Sequence, residues 1–505
     1  MDWPIHFALT SSFTHGDNFP AQNPLYSGQL ISYPFFADFL SSILQVFNLS
    51  LQTSFALPGV LLGFVIFALL YSLGIILTNS QTKSILGLLI AIFWGGIGFI
   101  YYFKDLINSS NWWEFINYPP VEYTFYEQKN LWFFSFLYSE LLPQRAMLLG
   151  IPLFLSSLIL FINGLSTNNR NSFFISGILL GVMPFFHMHS FISLAMLLMV
   201  FIPFYLLKSN TADFENFKKS LFNLTVFSLP VLILFLLQIP LLLSVNLSQT
   251  IGFHLGWMSG QENLIIFWLK NTFLFIPLIT LALFMFNRLL SNDNLTKAVF
   301  ASSIILFIAP NIFRFAPWPY DNLKIFTYWY FINSFLVSSL LVYLYRKNLI
   351  LKIIVPLVVM SLTLSGFIEV TRSLNSSKGQ LRIFSAEDIS LANLVKEKTI
   401  PNSTILAAAV HDHPASALAG RKLIIGFPGN AWSWGLSDWF QREQDVRAML
   451  RAEPQTKVLL NKYDISYVLI GNREKYFEPL LNEQYFLQNF NLIAQMDDYK
   501  IYQVK

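Results

Sequence analysis

The gaps between the long apolar runs of this chain are sorted by charge, and that sorting restricts the possible folds more than any other feature. Runs long enough to cross a hydrocarbon core of about 30 Å cover residues 54–78, 83–103, 144–164, 219–245, 264–287, 296–312, 323–345 and 349–369. Two shorter runs, 172–186 and 188–207, meet at His187-Met188-His189. Alternate gaps carry Lys83, Arg170, Lys208 with Lys218 and Lys219, Arg288 with Lys297, and Arg346 with Lys347 and Lys352. The opposite gaps carry only Lys104, Lys129, Arg314 and Lys324, with Arg145 at the mouth of a run, and the first 53 residues contain neither Lys nor Arg. A bilayer imposes this pattern, because basic loops stay cytoplasmic while translocated loops are depleted of Lys and Arg. The sequence therefore predicts a mostly α, polytopic membrane helix bundle of about ten spans. Both chain ends and the working loops are expected on the outer face of the cell membrane.

Composition agrees. Hydrophobic residues make up 54% of the chain and charged residues 12%, against about 25% charged in an ordinary soluble domain. The net charge of +4 is scattered over loops and tail rather than gathered in a stripe, so nucleic acid is not an expected partner. The chain has no Cys, which excludes disulfides, thiolate metal sites and a cysteine nucleophile.

Three regions follow. Residues 1–53 are expected to form a first extracytoplasmic loop, with a helix at 29–49 lying in the membrane interface. An outer N-terminus needs a span to carry it across, so a further apolar segment is expected ahead of Met1. Residues 54–370 form the bundle. Residues 371–505 alternate strand-like runs (404–410, 422–426, 465–470, 492–495, 500–504) with helical patterns (386–398, 437–450, 456–463). That alternation predicts a small extracytoplasmic α/β domain.

Outside the apolar runs, chemistry-bearing residues gather in five places. They are Asp2-Trp3-Pro4-Ile5-His6 with His15-Gly16-Asp17; Glu140-Leu141-Leu142-Pro143-Gln144-Arg145; Phe186-His187-Met188-His189-Ser190; the stretch 314–324 with Arg314, Asp321 and Lys324; and the tail motifs His411-Asp412-His413, Gly420-Arg421 and Arg442-Glu443-Gln444-Asp445. Ionisable groups at a membrane boundary are costly and for that reason often functional. Arg and Lys in fixed positions suit a phosphate, and a carboxylate within hydrogen-bond reach suits an attacking hydroxyl. Each group also has an ordinary structural use. Asp2 is a polar residue at a chain end, Arg145 can snorkel to headgroups, and the two His can satisfy carbonyls freed beside Pro184. His411-Asp412-His413 invites a metal, with Glu443 or Asp445 as further ligands, but alternating residues on a loop more often cap neighbouring elements.

With these residues in place, the chain resembles the glycosyltransferase C-type superfamily, which includes protein mannosyltransferases and the lipid A aminoarabinose transferase. Segments 2–38, 143–150, 186–190, 317–324 and 411–450 carry the resemblance to a bacterial group within it. The resemblance implies an enzyme that transfers a sugar from a polyprenyl-phosphate donor to an acceptor hydroxyl of a glycan, lipid or protein. Such enzymes have many spans, an acidic residue in the first outer loop and often a soluble C-terminal domain. Asp2 matches that acidic position as general base, with His6 beside it, although the neighbouring second acid of the superfamily is absent here, where Met1 and Trp3 flank Asp2. By chemistry and side of the membrane, Arg145, Arg314 and Lys324 are expected to bind the substrate phosphate. Asp321 is expected to position a cation or the acceptor, and His187 and His189 to line the site. Because the donor is already activated by phosphate, no organic cofactor is implied, and a divalent cation is compatible with the scheme. The competing readings are a transporter or flippase of lipid-linked saccharide, and an inactive assembly member of the same superfamily. A carrier predicts charge along mid-span and related halves; the sequence shows almost no mid-span charge and no repeat, which favours the enzyme.

Overall fold

The computed structural model describes residues 3–208, 214–242, 250–290, 294–375 and 377–504. The chain divides into two compact units. Unit 1 joins Met1–Gly59, Ile239–Thr250 and Leu381–Lys505, and unit 2 joins Val60–Gln238 and Ile251–Gln380.

Unit 2 is helical and built on one central helix, Leu323–Tyr345, which is buried almost throughout. An all-round apolar helix can only sit inside a bundle or a membrane. Two small residues let its neighbours approach: a side chain at either Gly74 or Gly87 would drive into the ring of Phe335, at 2.5 and 2.4 Å respectively. Small residues at such crossings are the usual means of close helix packing in membranes.

Among the described residues, seven helices are long and apolar enough to cross a membrane: Leu51–Thr78, Met147–Thr167, Met188–Leu206, Lys218–Ile239, Asn294–Ile312, Pro319–Tyr345 and Leu349–Leu374. An eighth is reached if the pair Leu264–Thr272 and Phe275–Phe284, bent by 98°, is one span. The expected total of about ten is not confirmed, and two of the expected runs account for the difference. Run 83–103 is broken into Gln81–Ile92 and Gly98–Ile107. Between them the backbone leaves the helix, and Ile97 N–H donates to Lys270 O at 2.9 Å. A Cβ on Gly96 would lie 2.0 Å from that same carbonyl, so only glycine permits the approach. Run 172–186 does form a helix, Arg170–Phe186, but at 17 residues it is a short one.

Unit 1 contains a five-stranded sheet in the order Lys422–Leu423, Thr404–Leu406, Ile465–Ile470, Tyr499–Gln503, Asn491–Met496. The first three strands are parallel and the last two antiparallel. Helices Ala386–Lys398, Trp439–Leu450 and Thr456–Lys462 accompany it, close to the elements expected from the sequence.

The N-terminal segment, expected as a loop of its own, belongs to the same compact unit. Ile5, Ala8 and Leu9 of helix Trp3–His15 share one apolar cluster with Leu391, Ile405 and Leu469. Further on, Leu423 N donates to Pro24 O at 2.8 Å, Ser27 N to Leu423 O at 2.9 Å and Gly426 N to Leu25 O at 2.8 Å. The N-terminal segment thus covers an edge strand whose backbone groups would otherwise be unpaired. In helix Phe36–Val46 the buried positions are Ala37, Asp38, Ser41 and Ser42, while Ile43 and Val46 are exposed. Polar residues inward and apolar residues outward suit a helix whose free face meets lipid.

Arg421 locks unit 1 together. It is 1% exposed and donates to Thr399 Oγ1, Thr399 O, Lys396 O, Ala419 O and His15 O at 2.6–3.2 Å. Beside it Gly420 (φ +73°) and Gly16 stand backbone to backbone, a Cβ on Gly16 falling 2.3 Å from Gly420 O. Arg421→Met is expected to cost about 3 kcal/mol or more, because it leaves buried carbonyls without donors. Thermal unfolding followed by tryptophan fluorescence checks this, and an unchanged midpoint would refute it.

Candidate functional site

A cluster of ionisable and hydroxyl-bearing side chains lies where three interruptions of helical structure in unit 2 meet. The first is the π-helix Phe136–Leu141 and the turn that follows. π-turns are uncommon and concentrate at functional positions. This one buries Glu140, and Gln144 N donates back to Glu140 O at 3.1 Å, tightening the turn that carries Arg145 into helix Met147–Thr167. Both side chains are nearly inaccessible, at 4% for Glu140 and 1% for Arg145.

The second interruption is His187, an extended residue between helices Arg170–Phe186 and Met188–Lys208. Its Nδ1 lies 2.6 Å from Ser190 Oγ, and Ser190 Oγ hydrogen-bonds the Tyr328 hydroxyl of the central helix. The Tyr328 ring stacks on Phe154 with centroids 4.0 Å apart. His189 stands with its ring 5.6 Å from that of His187, and its buried Nε2 has no hydrogen-bond partner among the described residues. Gly150 makes the approach possible, because a Cβ there would fall 2.5 Å from both His187 Cβ and Ser190 Oγ.

The third interruption is the 3-10 turn Pro319–Asn322 leading into Leu323–Tyr345. Asn322 pins it, donating to Pro310 O at 2.8 Å and Phe313 O at 2.7 Å and accepting from Phe315 N at 2.9 Å. The turn carries Asp321, whose Oδ1 is 2.8 Å from Lys324 Nζ.

These groups act on one another electrically. Burial raises the Glu140 carboxyl to about 8, with Lys324 opposing the rise and Asp321 adding to it. At neutral pH Glu140 is therefore mostly a carboxylic acid, a hydrogen-bond donor, and its Oε2 has no partner among the described residues. The charges of Lys324 and Asp321 are felt at His189 as well, and that of Glu140 at Tyr328. The arrangement offers the Lys324 ammonium, two imidazoles, two hydroxyls and a protonated carboxyl, most of them buried, with Arg145 on the adjoining turn. That set suits an oxyanion, since charge-assisted hydrogen bonds strengthen when water is excluded.

Unit 2 thus brings together Lys324, Asp321, His187 and His189, with Arg145 buried on the neighbouring turn. Arg314 is placed differently. It sits on the two-residue strand Phe313–Arg314 paired with Gly252–Phe253, and its Nη1 donates to Pro317 O at 3.2 Å. His6 lies in unit 1, where its Nδ1 is 2.9 Å from Asp38 Oδ2 in a buried pair. Asp2 falls outside the described residues. Glu140 and Ser190 fall in stretches that the sequence singles out but are given no role there, and Tyr328, inside an apolar run, carries no signal.

The tail motifs are structural. His413 Nε2 lies 2.8 Å from Glu474 Oε1, and its Nδ1 accepts from Ala415 N, capping a helical turn. Arg442 bonds Asp438 and stacks over Tyr26 at 3.8 Å, Glu443 pairs with Arg447, and Asp445 takes Lys462 and the Tyr463 hydroxyl. Among the described residues no three His, Asp or Glu side chains converge as a metal-binding group.

No family model matches the sequence, and no curated protein matches it. Among solved structures the chain is similar to an archaeal oligosaccharyltransferase, AglB from Archaeoglobus fulgidus, in complex with an inhibitory peptide and a dolichol-phosphate. The TM-score is 0.51 at 12% identity, over 97% of this chain and 68% of that one. The likeness is one of fold.

Proposed function

We propose that this protein is an integral membrane glycosyltransferase of the C-type, which moves a sugar from a polyprenyl-phosphate donor to an acceptor hydroxyl at the outer membrane face. The observation that carries this reading is the cluster of mostly buried polar side chains in unit 2, in which Lys324, His187, Ser190, Tyr328 and the protonated Glu140 gather beside the Arg145 turn. The fold supports it, because the similar archaeal structure belongs to a sugar-transferring enzyme and holds a dolichol-phosphate.

In this scheme the polyprenyl chain stays in the bilayer and its phosphate enters the cluster. The acceptor oxygen bonds to the anomeric carbon as the bond from that carbon to the phosphate oxygen breaks. The electron pair goes to the phosphate, where Arg145 and Lys324 balance the added charge and the Glu140 carboxyl donates a hydrogen bond. The acceptor's proton passes to Asp2, the expected general base. A single displacement of this kind inverts the anomeric centre. Asp321 holds Lys324 in place through their 2.8 Å contact.

Full-length protein reconstituted with a polyprenyl-phosphate sugar is expected to turn the donor over, with Asp2→Asn lowering turnover by about 10²-fold or more. Unchanged turnover in Asp2→Asn would eliminate the base assignment. Transbilayer movement of the donor without any glycosyl transfer would eliminate the enzyme.

A further inference from the structure

A second cationic site lies away from the proposed catalytic cluster, at the loop ends of helices Gln81–Ile92 and Leu323–Tyr345. Lys83, Val342, Tyr343, Arg346 and Lys347 line an open cleft of about 320 Å³. Lys347 Nζ sits 4.6 Å from the centre of the Tyr343 ring, and Arg288 brings a further charge to the same phenol. Lys83 is half-buried and near enough to Arg346 to feel its charge.

Lys347 and Arg288 thus act on Tyr343 while Lys83 and Arg346 line the same cleft, and among the described residues none of the four pairs with a carboxylate. No Asp or Glu occurs anywhere in 71–98 or in 323–368. Mutual repulsion at close range is unfavourable unless an anion offsets it. The dipole of Gln81–Ile92 adds positive potential, since Lys83 lies in its first turn.

We infer that this cleft binds the phosphodiester headgroup of an anionic phospholipid. A lipid fits better than a soluble phosphate because the flanking helices continue as outward-facing apolar surface. Ile85 and Leu89 follow Lys83, and Leu349, Ile350 and Ile353 follow Lys347, all of them exposed. Headgroup charge would sit among the cations while the acyl chains run along those side chains. Basic pockets between apolar helices recognise anionic headgroups in this way. The Tyr343 hydroxyl supplies a neutral donor to the same phosphate. Lys83 and Arg346 come from the ends of two different helices, so the bound lipid ties those helices together.

The test uses full-length protein in neutral detergent, offered equal amounts of phosphatidylglycerol and phosphatidylcholine with identical acyl chains and read by native mass spectrometry. Retention of phosphatidylglycerol is expected to exceed that of phosphatidylcholine by about tenfold. The double variant Lys83→Gln/Arg346→Gln is expected to bring the ratio close to one. Arg170→Gln/Lys352→Gln, which removes two cations outside the cleft, is expected to leave it unchanged. If the first double variant does not fold, Lys347→Gln at the exposed rim carries the test with a partial loss of preference. Equal retention of both lipids by the unaltered protein overturns the inference, as does a preference that survives in both cleft variants. Loss of phosphatidylglycerol in millimolar inorganic phosphate assigns the cleft to a soluble anion and overturns the lipid.

Discussion

Glu140→Gln is expected to make the protein more stable than the unaltered chain above neutral pH and equal to it in acid. The cause is burial of a carboxyl whose proton is held to about 8 instead of its ordinary 4.5. Below about pH 4 the folded and unfolded chains both carry the proton, and the group makes no difference. As pH rises from there, the unfolded chain releases its proton first while the folded chain must keep it. Folded stability therefore falls progressively and reaches its full deficit once the pH passes about 8. At about 1.4 kcal/mol per pKa unit, the deficit is on the order of 5 kcal/mol before the new amide's own desolvation is counted. Thermal unfolding in detergent at several pH values measures it, and the midpoint of Glu140→Gln should decline less with pH than that of the unaltered protein. Parallel curves would show that Glu140 does not titrate in this range. The same variant separates two roles at the site. A glutamine still donates a hydrogen bond, so donor binding should survive in Glu140→Gln at neutral pH and extend to higher pH. Loss of binding at neutral pH would mean that the carboxylate form is needed and that the assignment as a neutral donor is wrong.

A buried acid that lowers stability has a place in a functional site, where local rules are broken for the sake of chemistry. The sequence made the membrane class legible because apolar run length and basic-loop alternation are properties of composition at a distance scale of about 20 residues. Its count of about ten spans is not confirmed, because run length does not show what interrupts a run. The departure from helix at Ile97 depends on its bond to Lys270 O, a partner far along the chain that periodicity cannot reveal. The strands and helices of unit 1 were readable from alternation, with Ile465–Ile470 and Ala386–Lys398 found close to where expected. The packing of Trp3–His15 with that sheet was not readable, since its apolar face fits a membrane loop and a domain core equally well. The same limit applies to the site. His187, His189, Asp321 and Lys324 stood out as polar residues at the ends of apolar runs, and they do cluster. Arg314 carried the same signal, yet its guanidinium turns back to Pro317 O. Position at the end of an apolar run can be read from the sequence, but the direction of a side chain is fixed by the turn that carries it.

Arg145→Lys is expected to impair donor turnover nearly as severely as Arg145→Ala, whereas Lys324→Arg should retain much of it. The difference follows from surroundings. Arg145 is 1% exposed on a turn fixed between the π-helix and helix Met147–Thr167, so a planar guanidinium with five donors is held in one orientation there. Lysine offers a point charge with three rotatable donors and a strong preference for water, and the exchange is not conservative at a buried anion site. Lys324 is less confined: its side chain retains 13% exposure and is oriented chiefly by Asp321 at 2.8 Å. A guanidinium can keep that contact and still reach a phosphate. Losing one preorganised donor at a developing anion commonly costs about 10²- to 10³-fold in turnover, which sets the scale for Arg145→Lys and Arg145→Ala alike. The loss should appear in kcat as well as in KM, because in the proposed reaction the charge at these groups grows as the leaving phosphate separates from the sugar. A change confined to KM would place both cations on the ground-state substrate alone. Wild-type turnover in Arg145→Lys would show that only net charge is required there and would remove Arg145 from the geometry of the site.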